Sequence, residues 1–135
     1  MMQRKSFLCS LFLFALLVSA ASAGTRIYVE GSGKAEIDGK YLYVDGSRVG
    51  ELDGDNVYKN SSRVGEFSGK KIYLQGSARA ELDGDWLYLD GSRAWELSGD
   101  SAYFQGSRVL EVKGLSTDPQ VRRMTVMYIL FFHER

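Results

Sequence analysis

From Ile27 to about Ser116 the chain repeats itself every fifteen residues, six times over. The copies begin at Ile27, Leu42, Val57, Ile72, Leu87 and Ala102. The second position is always Tyr: Tyr28, Tyr43, Tyr58, Tyr73, Tyr88 and Tyr103. The tenth is always Glu (Glu36, Glu51, Glu66, Glu81, Glu96, Glu111), the sixth always Ser and the thirteenth always Gly. Positions one, three and eleven are apolar, with Lys59 the exception. Position nine is small in four copies (Ala35, Gly50, Gly65, Ala80) and then Trp95 and Leu110. A unit this short cannot bury its own apolar face, so the copies must stack on one another.

Runs of branched and aromatic residues between glycine-containing turns read as β-strands. A Gly-Ser pair and a further Gly in most copies would break a helix repeatedly. Each copy is therefore two strands and two turns. Fifteen is odd, while strand faces alternate with a period of two. A three-residue loop at positions five to seven and a two-residue loop at thirteen and fourteen restore the phase. Position one then pairs with eleven, two with ten and three with nine. One face becomes apolar, and the other carries Tyr and Glu.

A parallel solenoid with one coil per repeat would stack six Glu at ~4.8 Å spacing, where like charges repel. Antiparallel hairpins put a Tyr between successive Glu. The expected fold is all-β: antiparallel hairpin repeats, twelve short strands curled into a closed ring, because a flat open sheet of that size is unfavourable.

Residues 1–23 have the three-part plan of a secretory signal. Arg4 and Lys5 precede an apolar run from Phe7 to Val18, and Ala21-Ser22-Ala23 offers the small residues of a cleavage site before Gly24. The run is shorter than the ~20 residues of a membrane span, so no transmembrane segment is expected after cleavage. Cys9 lies inside this segment, so the exported chain would hold no thiol and no disulfide. Arg4 and Lys5 are its only charges, so the remaining 112 residues carry 15 basic and 17 acidic side chains, net −2. That balance argues against nucleic acid as a partner. The organisation expected is a signal over 1–23, the six-copy domain over 24–116 and an apolar closing segment over 117–135. After Asp118-Pro119, residues 124–132 run apolar on both alternating faces, as a strand buried on both sides would. This segment is expected to close the ring or plug its centre.

The signal, repeats such as IYVEGSGKAEIDG and LYVDGSRVGELDG, and the Phe-rich end Tyr128-Ile-Leu-Phe-Phe132 together resemble the bacterial five-fold beta-flower proteins. The likeness covers nearly the whole chain after residue 23. That family is defined by architecture, so the resemblance carries over no functional residues. Its bacterial distribution implies a periplasmic, envelope-associated or released protein. This chain has six copies, so the five petals would correspond to the five junctions at Gly39, Gly54, Gly69, Gly84 and Gly99. Cell-wall repeats with paired Trp are a weaker likeness, because Trp86 and Trp95 are sporadic.

Catalysis needs a positioned nucleophile, base or metal. The single His, His133, lies three residues from the end, and no zinc site of ordinary composition can be built without Cys. Asp53-Gly-Asp55 and Asp83-Gly-Asp85 have a faint calcium-loop spacing, but they fall on turns, where Asp and Gly serve the backbone. Every carboxylate candidate recurs in each copy, whereas an enzyme needs one asymmetric site. No catalytic residue, metal or cofactor is expected. The Tyr row, above all Tyr43, Tyr58, Tyr73 and Tyr88, is the candidate ligand-facing surface. The bland alternative is that Tyr simply favours strands and bonds its Glu neighbour. Arg48, Arg63, Arg93 and Arg108 at loop position seven would balance the Glu charge and protect strand edges; the other reading is a ring of Arg at one rim that binds anionic glycans or lipid headgroups. The functions left are a non-catalytic structural or interaction module of the envelope, or a binder of envelope polysaccharide, with another envelope protein as the other possible partner.

Overall fold

A computed structural model describes residues 24–133, so the signal read in residues 1–23 lies outside the described residues. Twelve antiparallel strands close into a barrel. They are β1 (Thr25–Val29), β2 (Ser32–Asp38), β3 (Tyr41–Val44), β4 (Ser47–Asp53), β5 (Asn56–Lys59), β6 (Ser62–Ser68), β7 (Lys71–Leu74), β8 (Ser77–Asp83), β9 (Trp86–Leu89), β10 (Ser92–Ser98), β11 (Ser101–Phe104) and β12 (Ser107–Val112). Each strand neighbours its predecessor, and β12 returns to β1.

The junctions between copies follow the expected register: Ile37 faces Leu42, Glu36 faces Tyr43 and Ala35 faces Val44. Each is a two-residue hairpin whose first turn residue, such as Gly39 (φ 63°), takes a left-handed conformation that glycine adopts without strain. The closing pair repeats that register without a turn. Ile27 faces Val112, Tyr28 faces Glu111 and Val29 faces Leu110. The sixth junction is therefore held by backbone bonds and side-chain packing alone.

The hairpin inside each copy differs from the expected three-residue loop. Val44 pairs with Ser47, Tyr43 with Arg48 and Leu42 with Gly50. The turn is a two-residue one at positions four and five, with φ positive at both Asp45 (53°) and Gly46 (82°), as a type I′ hairpin requires. The odd residue is supplied by a β-bulge at position eight, where Val49 has no partner. The parity requirement was sound; a bulge meets it instead of a loop. As a result the position-seven arginines lie within strands and face the Tyr row, and a closed barrel leaves no edge for them to guard.

Positions one, nine and eleven point inward and are buried, apart from the half-buried Leu82, with Ile27, Leu42, Val57, Ile72, Leu87 and Ala102 fully so. Twelve strands at the usual spacing and tilt enclose a lumen of ~12 Å backbone radius. Side chains from opposite walls cannot meet across that gap, but one helix, ~10–12 Å wide with its side chains, fills what remains.

The C-terminal segment supplies that helix, which corrects the expectation of a strand. Residues Pro119–Met127 form α1, and Tyr128–Phe132 continue it as one π-helical turn. Asp118 caps α1, its side chain accepting from the Gln120 and Val121 nitrogens, and Pro119 occupies the first turn. Met124, Thr125, Val126 and Met127 are consecutive and all fully buried, as in a helix surrounded on every side. The one buried hydroxyl among them, on Thr125, donates to the Val121 carbonyl at 2.7 Å. Nine residues are too few for a stable helix in water, so α1 owes its existence to the barrel around it.

The plug is tied at both ends. Around the rim of between-copy turns, Arg123 pairs with Asp55 at 2.8 Å, Arg122 bonds the Gly84 carbonyl and reaches Asp85, and Gln120 bonds the Gly39 carbonyl. At the opposite rim, Lys59, the last residue of β5, donates to the Phe131 carbonyl at 2.9 Å and lies over the Phe132 ring. Lys59, the exception to the apolar pattern, is thus a cation placed at the negative end of the helix.

Candidate functional site

The outward face carries a belt in which Glu, Tyr and Arg alternate across neighbouring strands. Tyr43 sits between Glu36 and Arg48, Tyr58 between Glu51 and Arg63, and Tyr88 between Glu81 and Arg93. Tyr73 sits between Glu66 and Ala78. The unit arises because Tyr at position two faces Glu at ten across one hairpin and position seven across the other. Without the bulge, Arg would not reach that row.

Five of the six junctions form an open groove on this belt. Tyr43 and Glu36 line one with the Asp45-Gly46 turn. Tyr58 and Glu51, Tyr73 and Glu66, and Tyr88 and Glu81 line the equivalent ones. The closing junction repeats the motif with Tyr28 and Glu111. All four Tyr singled out in the sequence therefore lie in grooves, half-buried, with Tyr28 the most exposed of the row at 40%. Their hydroxyls bond no described residue, so the expected Tyr–Glu hydrogen bond is not formed.

Some of the charges around the grooves are locally paired. Lys40 meets Glu51 at 3.1 Å, and Arg63 meets Glu66 at 3.3 Å. Arg79 grips Asp90 through two bonds of 2.9 and 3.0 Å. The hydrogen bond from Arg79 holds the Asp90 carboxyl below the usual carboxylate range, and the bond to Glu51 raises the Lys40 ammonium. Among the described residues, no three His, Cys, Asp or Glu side chains are placed to hold a metal ion. Asp55 and Asp85, the calcium-like turn residues, instead meet the plug's arginines. That role was invisible in the sequence, because the turn gives no hint of a helix arriving from the lumen.

Chemically, each groove offers an aromatic face, a carboxylate acceptor and, at several junctions, a guanidinium donor. This is the set that binds polar rings and polyols. No family model, no curated protein and no solved structure matches the chain. The belt must therefore be read from its own geometry. Among the described residues no helix is long and apolar enough to cross a membrane.

Proposed function

We propose that this chain is an exported, non-catalytic interaction module of the bacterial cell envelope, binding its partner through the repeated outer belt. The observation that carries this reading is the recurrence of the Tyr/Glu groove around the barrel. Open sites of this kind bind weakly one at a time, but several in a ring engage a repeating partner with high avidity. Every chemically capable group recurs with its groove, which favours binding over turnover. Export is supported by the three-part signal plan of residues 1–23; the Gly24 nitrogen donates to Glu36 Oε2 at 2.9 Å. Cleavage before Gly24 would turn that contact into an ion pair.

An envelope polysaccharide is the partner favoured by the Tyr rings, which suit stacking on sugars; a second envelope protein is the alternative. The test is retention of the processed chain on purified peptidoglycan and capsular glycan. Tyr58→Ala and Tyr73→Ala are expected to weaken retention with unchanged circular dichroism. Unaltered retention in both variants would remove the belt from the account.

A further inference from the structure

Two of the six outer units are unlike the rest. The residue just before each copy is Arg26, Asn56, Lys71 or Ser101 at four junctions, but Tyr41 and Trp86 at the other two. At both, the position-seven arginine lies on the ring. The Arg48 guanidinium carbon is 4.5 Å from the Tyr41 ring centre. That of Arg93 is 4.0 Å from Trp86 and 5.9 Å from Tyr88. Arg63, by contrast, pairs with Glu66. Among the described residues neither Arg48 nor Arg93 has a carboxylate within ion-pair distance. The two pairs stand on β3/β4 and β9/β10, six strands apart in a ring of twelve, and so on opposite flanks of the barrel.

We propose that Tyr41–Arg48 and Trp86–Arg93 are two back-to-back docking platforms for a uronate-bearing polysaccharide, so that one molecule bridges two glycan chains. The proposal rests on the belt being a binding surface and names its strongest points and its ligand. A guanidinium stacked on an aromatic ring keeps its N–H edge free and is already ordered, so less entropy is lost when it binds. A carboxylate matches that edge with two parallel hydrogen bonds. The adjoining Tyr43 and Tyr88 supply an apolar face for the sugar ring. The Trp platform should be the stronger, since indole attracts a cation better than phenol.

The probe is polygalacturonate, with its methyl ester as the uncharged control, added to the full processed chain. The wild type is expected to bind the acid form and not the ester, and to cross-link it into a turbid suspension. Arg93→Gln should lower affinity about tenfold and abolish turbidity while Arg48 still binds; Arg93→Lys, which keeps charge but loses the fork, should restore little. Arg48→Gln should mirror this more weakly. Unchanged binding in both Gln variants, with loss in Tyr58→Ala, would overturn the platforms and leave the belt standing. Binding to another envelope glycan but not to polygalacturonate would overturn the uronate assignment alone. Binding to no glycan would overturn this proposal and the polysaccharide reading together.

Discussion

Copies two and three of the repeat face copies five and six across the lumen, and at position nine they are opposites. On one wall stand Gly50 and Gly65; on the other stand Trp95 and Leu110. At both glycines an aromatic ring of the plug lies against the wall. A β-carbon at Gly50 would lie 2.6 Å from the Phe132 ring, and one at Gly65 would run into the Phe131 ring and the Tyr73 carbonyl. Trp95, 2% exposed, fills the far side, its ring 5.1 Å from Phe104 and 5.8 Å from His133. The outer belt can stay regular because solvent is the same all round. The inner wall cannot, because a single helix has no six-fold symmetry. Departures from the repeat at position nine thus record the shape of the plug.

The comparison can be broken most completely by removing its cause. Deleting residues 120–135 is expected to abolish cooperative unfolding and give insoluble or molten material. A soluble truncated chain with unchanged β circular dichroism would show that the wall stands alone. Next in size is the bulky wall: Trp95→Ala should cost ~3–5 kcal/mol in chemical denaturation by opening a cavity. The small wall is sharper though weaker. Gly50→Ala, where a β-carbon would meet the Phe132 ring, should cost ~1–3 kcal/mol by overpacking, and much of that should vanish in a Phe132→Ala background, a coupling read by a double-mutant cycle. The same Ala substitutions at both positions should not couple if the plug sits elsewhere.

The outer face predicts a smaller effect. Asp90 titrates below an unfolded carboxyl because Arg79 bonds it. Its contribution is therefore full above the unfolded pKa of ~3.9 and is lost as pH falls through the lower folded value. Both groups are exposed, so the change in stability is slight. The cleaner readout is the Asp90 carboxyl resonance, whose midpoint should rise in Arg79→Ala.

Much of the wall was legible because position-by-position identity removes noise: strand phase, inward and outward faces, and the between-copy register all follow from Tyr at two, Glu at ten and Gly at thirteen. The inner hairpin was misread because Asp45, Asn60 and Gln75 take positive φ that their side chains do not advertise. The Gly-Ser pair suggests a turn centre, whereas Ser47 already belongs to β4. The plug was misread because residues 124–132 are apolar throughout, so neither period shows, and Thr125, Val126 and Ile129 favour strands. The signal that would have found it is Asp118-Pro119, a cap followed by a first-turn proline, which reads as a helix start as readily as a break. The belt's Tyr and Glu were visible from the start. Its Arg depended on a bulge that no local motif marks.

The account stands on a ring of strands closed around its own C-terminal helix. The most direct test is a nuclear Overhauser spectrum of the processed chain. Cross-peaks from the Phe131 ring to the Gly65 α-protons, and from Phe132 to Gly50, are expected, together with α-proton contacts joining β1 to β12. Contacts from both phenylalanines to outward-facing Tyr residues, or none between β1 and β12, would contradict it.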